Sequence, residues 1–70
     1  MQNTIVLKSN INCNNCIQKV TPFLNKEVKI VAWEVDTQNP DKLITVKGED
    51  LTFELIERTL RPSGFKVEMR

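Results

Sequence analysis

The stretch that decides the fold runs from residue 28 to residue 47, VKIVAWEVDTQNPDKLITVK. Val28 to Asp36 alternates in the manner of a strand, and Leu43 to Lys47 forms a second strand pattern. Asn39-Pro40-Asp41-Lys42 between them is typical of a turn, because proline pre-sets the backbone φ angle. The segment therefore predicts two consecutive strands joined as a hairpin.

Alternation along the first of these strands assigns its residues to two faces. Val31, Trp33 and Val35 share one face, which we expect to be the buried one. Trp33 is accordingly predicted to belong to the core and not to form a binding platform.

Upstream of the hairpin, a short strand pattern is followed by a helical one. Ile5-Val6-Leu7 is rich in β-prone residues, and from Cys16 to Leu24 the apolar residues recur with helical spacing. Pro22 lies inside this helical pattern and lacks a backbone donor. We therefore expect a kink or a short, tightened final turn before Asn25-Lys26-Glu27 ends the helix.

Downstream of the hairpin, a second helix is predicted from its two ends. Thr52 is a suitable N-cap residue, and Pro62-Ser63-Gly64 provides a stop. Phe65 to Met69 then alternates as a last strand. The apolar stripe between the two ends of the helix consists of Phe53, Ile56 and Leu60.

The order of the predicted elements is β-α-β-β-α-β. Two right-handed βαβ crossovers joined by a hairpin give a ferredoxin-like α+β fold. Such a fold has a four-stranded antiparallel sheet with both helices on one face. We expect residues 1–70 to form a single domain, because a chain of this length has no room for a second.

Composition and charge exclude several classes of protein. Ten Lys and Arg against nine Asp and Glu give a net charge of +1, which argues against a general nucleic-acid binder. The absence of His removes histidine-based catalysis and the commonest metal ligand that is not a thiol. The amino terminus lacks a signal-peptide pattern, and the longest apolar run, residues 30–33, is far too short to span a bilayer. We expect a cytoplasmic protein with no membrane association.

The remaining unusual chemistry is a pair of cysteines, Cys13 and Cys16. Residues three apart share a helix face, so both sulfurs can converge on one point, where the helix N-terminus favours thiolates. Two thiolates suit Cu(I), which accepts low coordination, better than Zn(II), which normally takes four ligands. A second chain could supply two more sulfurs. The residues alone leave open a thiol–disulfide redox pair and a pair without chemical function.

The cysteine loop and its surroundings carry a resemblance to a known family. Asn10-Ile11-Asn12-Cys13-Asn14-Asn15-Cys16, after the first strand, resembles the metal loop of heavy-metal-associated (HMA) domains. That family includes small copper chaperones, mercury-binding proteins and the soluble domains of metal-transporting P-type ATPases. The similarity extends over nearly the whole chain and implies the same ferredoxin-like fold. It further implies that the Cys13 and Cys16 thiolates bind the metal.

Three departures from the family pattern refine this expectation. Asn10-Ile11 stands where the family usually has Gly-Met: we expect Asn10 to replace glycine by adopting a left-handed backbone, and Ile11 to pack under the loop. Phe65, in the loop after Gly64 where the family often has Tyr or Lys, is expected to shield the site from water. Zinc-selective members often have Asp at the position of Asn12, so the neutral Asn12 favours Cu(I) over zinc.

Together these observations predict a metal-binding module and not an enzyme. We expect it to bind a soft heavy-metal ion and to deliver or sequester that ion by ligand exchange. Cu(I) is the expected ion, and Zn(II) or another soft metal is the alternative. The expected partner is a metal-transporting P-type ATPase or another thiolate-bearing acceptor. The expected state is a monomer, with a metal-bridged dimer left open. The alternatives are a thiol–disulfide or redox-sensing protein that uses the same pair, and a pure interaction domain.

Overall fold

Strands and helices follow one another in the order βαββαβ over residues 2–69, the part of the chain that the computed structural model describes. This is the order that the sequence predicts. A short 3-10 turn, Arg61–Ser63, follows the second helix. The elements are β1 (Gln2–Ser9), α1 (Asn14–Lys26), β2 (Ile30–Asp36), β3 (Leu43–Glu49), α2 (Phe53–Leu60) and β4 (Val67–Met69).

The four strands form one antiparallel sheet in the order β2-β3-β1-β4. The first and third strands occupy its centre, where Leu7 pairs with Ile44. Non-consecutive neighbours in this order mean that each half of the chain crosses over the sheet through a helix. The predicted ferredoxin-like α+β fold is therefore confirmed.

The core lies between the sheet and the two helices. Inward residues of β1 and β3 join buried residues of α1 and α2 in a single apolar cluster, which places both helices on the same face of the sheet. The fully buried side chains are Leu7, Ile11, Val20, Leu24, Ile44, Val46, Ile56 and Leu60. Neither helix in the described part of the chain has the length and apolar character needed to cross a bilayer.

The first helix begins earlier than its apolar pattern suggests and continues through its proline. It spans Asn14–Lys26 with Pro22 inside it. At its end the Glu27 N–H donates to the carbonyl oxygen of Leu24 at 3.4 Å, three residues back, which is a tightened closure of the expected kind.

The second helix has the predicted cap. The N–H of Leu55 donates to the hydroxyl oxygen of Thr52 at 3.1 Å. Gly64, with φ of 86°, adopts the left-handed conformation after the 3-10 turn. The strand that follows starts at Val67, so it is shorter than predicted, and Phe65 lies in the loop before it.

The start of β2 differs from the prediction in two ways: the strand begins at Ile30 and not at Val28, and Val31 does not lie on its buried face. Ile30 pairs with Gly48, and a register shift between Ile30 and Ala32 places Val31 in a β-bulge. Val31 is 65% exposed, whereas Ile30 packs against the core. Val31 therefore does not share the buried face with Trp33, because the extra residue breaks the alternation.

Gly48 of β3 leaves room for the backbone at Lys29, just before the bulge. A Cβ atom at Gly48 would overlap the carbonyl oxygen of Lys29. The same oxygen accepts a hydrogen bond from the N–H of Glu49 at 2.8 Å. The absence of a side chain thus allows the backbone that enters β2 to cross close to β3.

Trp33 is half-buried and packs against the core cluster, so it occupies the edge of the core in which it is predicted to lie. Its indole Nε1–H donates to Oδ1 of Asn25 at 3.0 Å. This bond connects β2 to the carboxyl-terminal end of α1, far along the helix from the cysteines.

Candidate metal centre

The cysteine loop consists of residues 10–13, between β1 and α1. Cys13 is the N-cap residue of the helix, with extended backbone angles of φ −154° and ψ 167°. Its Sγ accepts a hydrogen bond from the backbone N–H of Cys16 at 3.3 Å. The first cysteine is therefore fixed at the helix N-terminus, where the unpaired amides favour negative charge.

The two sulfurs lie side by side. Cys16, in the first turn of α1, is half-buried, Cys13 is exposed, and both are free thiols. Their Sγ atoms are 2.8 Å apart. The spacing therefore brings the sulfurs together as predicted, and their role as metal ligands stays a prediction.

The pKa of the Cys13 thiol is lowered from its ordinary value. The main cause is the hydrogen bond with the Cys16 side chain, followed by the bond from the Cys16 backbone N–H. Desolvation acts in the opposite direction, while the Asn15 backbone N–H and the charge of Lys19 lower the pKa further. These contacts favour the thiolate form of Cys13.

Asn12 adds an oxygen near the second sulfur. The Cys16 Sγ lies 3.6 Å from Oδ1 of Asn12, which can accept its S–H. Cys16 has one S–H, which can be donated either to this oxygen or to the Cys13 sulfur. Asn12 is exposed, so this oxygen stays accessible to water.

The residues predicted to pack around the site take different positions. Ile11 is fully buried in the core, and its backbone N–H donates to Oγ of Ser9 at 3.3 Å. Phe65 is half-buried and packs against the edge of the core. Whether the Phe65 ring shields the sulfurs stays a prediction.

The expected role of Asn10 is wrong. Among the described residues other than glycine, positive φ occurs at Lys42 and Asp50, so Asn10 does not use the left-handed conformation of a glycine. Its side chain acts instead: Oδ1 accepts the backbone N–H of Lys66 at 2.9 Å. The position is therefore occupied by a hydrogen-bond acceptor that glycine cannot supply.

Comparison with known proteins rests on the fold. No family model matches the sequence, and no curated protein matches it either. Solved structures do match. The whole chain aligns with 99% of oxidized MerP from Ralstonia metallidurans CH34, with a TM-score of 0.81 and 14% identity. The whole chain also aligns with 68% of the apo HMA domain of a copper chaperone for superoxide dismutase, with a TM-score of 0.80 and 17% identity. A third match, the CsoZ metallochaperone, has a TM-score of 0.76 at 16% identity, over 96% of this chain and 97% of that one.

The chain has the HMA-domain fold. At this level of identity the likeness concerns architecture, and the chemistry of this HMA-like domain must be argued from its own residues. Its donor set is small: within residues 2–69, no group of three or more His, Cys, Asp or Glu side chains is arranged to hold a metal ion. The candidate site therefore offers two sulfurs.

Sequence reasoning missed the tethers of the cysteine loop. The Ser9 hydroxyl donates to the carbonyl oxygen of Lys42 at 2.6 Å, and the Ser9 N–H donates to that of Asp41 at 3.2 Å. The HMA-like domain thus holds the start of this loop against the β2–β3 turn. No local pattern announces such bonds, because their partners lie more than 30 residues away.

Proposed function

We propose that this HMA-like domain binds Cu(I) through the thiolates of Cys13 and Cys16 and passes the ion on by ligand exchange. The observation that carries the proposal is the convergence of the two Sγ atoms, 2.8 Å apart, at the exposed start of α1. Thiolates are soft donors, and Cu(I) prefers sulfur at low coordination number. Structural Zn(II) normally requires four protein ligands, so a single chain suits it less.

The charge state of the first ligand supports this role. The lowered pKa of Cys13 makes an anionic sulfur available closer to neutral pH than an ordinary thiol would. Binding releases whatever thiol protons the two cysteines still hold, so affinity increases with pH. Zn(II) and other soft ions remain the alternative cargo, with sulfur from a second chain completing the coordination of zinc.

Metal binding requires the two sulfurs to separate. With metal–sulfur bonds of about 2.3 Å and a tetrahedral angle, two ligand sulfurs lie ~3.8 Å apart, and a linear arrangement places them further apart still. Cys16 is held within the helix, whereas Cys13 is exposed at its end. We therefore assign the outward movement to Cys13.

Transfer proceeds by exchange of one sulfur at a time. A thiolate of the acceptor forms a new bond to the ion, and one of the two cysteines here then releases it and takes up a proton. The ion stays Cu(I) throughout, and no covalent bond of a substrate is broken, so the role is not enzymatic. The proposed acceptor is a metal-transporting P-type ATPase or another protein with exposed thiolates, and the proposed location is the reducing cytoplasm, where the dithiol persists.

An anaerobic competition against bathocuproine at pH 7 tests the proposal. Wild type is expected to withdraw Cu(I) from the chelator, and the Cys13→Ser/Cys16→Ser variant is not. Gln18→Ser, at an exposed position on the same helix, is the matched control and should bind as wild type does. Equal binding by wild type and the double variant would refute the proposal. Native mass spectrometry of the Cu(I) and Zn(II) titrations reports whether one ion is held by one chain or two.

The short distance between the sulfurs also favours one alternative function. Reaction with glutathione disulfide would form the Cys13–Cys16 disulfide and two molecules of glutathione, which is a redox or redox-sensing role. Mass spectrometry after equilibration in glutathione buffers separates the two functions. A midpoint well below the cytosolic potential would keep the pair oxidised and contradict a reduced Cu(I) carrier.

A further inference from the structure

The cysteine loop starts where the ladder between β1 and β4 ends. Ser9 pairs with Val67 at the end of this antiparallel ladder. The next backbone N–H, that of Asn10, still donates to the carbonyl oxygen of Lys66 at 3.3 Å. Asn10 and Lys66 therefore make one of the two backbone hydrogen bonds that a further ladder pair would have.

The other half of that pair is made by a side chain. In a hydrogen-bonded antiparallel pair, each residue donates its N–H to the carbonyl oxygen of the other. Here the N–H of Lys66 donates instead to Oδ1 of Asn10 at 2.9 Å. The carboxamide thus takes the place of the Asn10 main-chain carbonyl and leaves the backbone free to turn away from the sheet.

The turn that follows directs the next side chains in opposite directions. Ile11 enters the core and is fully buried, whereas Cys13 is exposed at the helix N-terminus. The bond between Asn10 and Lys66 therefore defines the point at which the chain leaves the sheet, three residues before the first cysteine.

We propose that Asn10 is a positioning residue for metal binding, an inference that rests on the proposed function. Residues 10–12 have no regular secondary structure, so their order depends on such contacts. Holding them in place before the ion arrives reduces the conformational entropy lost on binding. The same bond connects the loop that contains Phe65 to the cysteine loop.

A matched control exists at the other end of α1. Oδ1 of Asn25 accepts the indole N–H of Trp33 at 3.0 Å, so this carboxamide also joins two elements, although its donor is a side chain eight residues away. Asn25→Leu and Asn10→Leu each keep the number and branching of the side-chain heavy atoms and remove one carboxamide acceptor. Asn10→Asp keeps an acceptor oxygen for the N–H of Lys66.

The test combines Cu(I) affinity, from bathocuproine competition, with amide hydrogen exchange of Lys66 in the metal-free protein. We expect Asn10→Leu to bind Cu(I) about three- to tenfold more weakly, the range that loss of one net hydrogen bond produces. Exchange of the Lys66 amide should become faster in that variant. Asn10→Asp should restore both properties, and Asn25→Leu should bind Cu(I) as wild type does.

The outcomes separate this inference from the proposed function. Urea unfolding of every variant verifies that the folded state is populated in the assay. Wild-type affinity in Asn10→Leu, failure of Asn10→Asp to rescue, or an equal loss in Asn25→Leu would each overturn the positioning role while Cu(I) binding by wild type stands. If wild type itself does not bind Cu(I), the proposed function is wrong and the role of Asn10 fails with it.

Discussion

Cys13 caps the helix that contains Cys16. Its Sγ accepts the backbone N–H of Cys16 at 3.3 Å and lies 2.8 Å from the Cys16 sulfur. One sulfur atom therefore satisfies a helix terminus and is also a proposed metal ligand. Substitutions that preserve one role and remove the other can separate them.

Cys13→Ser and Cys13→Ala should differ in stability while both weaken Cu(I) binding. Serine is a preferred N-cap residue, whereas alanine leaves a helix N–H without its acceptor and costs about 1 kcal/mol. Urea unfolding under reducing conditions measures the difference, and bathocuproine competition measures Cu(I) binding. Equal unfolding free energies in the two variants would contradict a capping role for Cys13.

Cys16→Ala should raise the pKa of Cys13. The largest cause of the lowered value is the hydrogen bond with the Cys16 side chain, which alanine removes, whereas the backbone N–H at position 16 remains. Since the thiolate is the form that reacts, the rate of Cys13 alkylation by iodoacetamide should rise with pH around a higher midpoint than in wild type.

Lys19→Gln provides the control for this measurement. The charge of Lys19 is the last-ranked cause of the lowered pKa of Cys13, so its removal should raise the midpoint less than Cys16→Ala does. A midpoint that is unchanged in Cys16→Ala would show that the neighbouring sulfur does not control the thiolate.

Gly48→Ala should destabilise the fold by about 1–3 kcal/mol, the usual cost of overpacking. The added methyl group would overlap the Lys29 carbonyl oxygen at the entrance to β2.

Gly64 is the informative comparison. Its φ of 86° is strained for other residues, although a Cβ atom there would meet no atom within 4 Å. Asparagine should therefore be tolerated better at position 64 than at position 48. Equal urea-unfolding costs for Gly48→Asn and Gly64→Asn would contradict this explanation.

Leu24→Ala should cost about 2–5 kcal/mol of unfolding free energy, the usual penalty for truncating a buried leucine. Leu24 is fully buried between α1 and the rest of the core. Val28→Ala is the control, because Val28 is 92% exposed and should change stability by less than about 0.5 kcal/mol. Urea denaturation of both variants measures the contrast, and similar costs would contradict the assigned core.

Much of the architecture could be predicted because its causes are local. The hydrophobic period, the Thr52 cap and the turn at residues 39–42 each depend on a few neighbouring residues. The β-bulge could not be predicted in this way. It depends on the approach of the Lys29 backbone to Gly48, two residues that the sequence separates by β2, the turn and most of β3.

The candidate site likewise has a part that local sequence predicts and a part that depends on distant contacts. The sulfurs meet because positions three apart share a helix face, and that relation is contained in the spacing of Cys13 and Cys16. The role of Asn10 was misjudged because its partner, the backbone of Lys66, lies 56 residues away. The carboxamide is an acceptor in any context, but only the folded structure places the N–H of Lys66 against it.

The sequence by itself determined the order of the elements, the buried positions of Ile56 and Leu60 on the second helix, and a converging pair of thiols at a helix start. Each follows from periodicity, capping or spacing within about two helical turns. Only the tertiary structure decided that Val31 is exposed, that Gly48 admits a close backbone and that Asn10 completes the β1–β4 ladder. These depend on contacts between segments that are distant in the chain, whose register is decided by packing of the whole core.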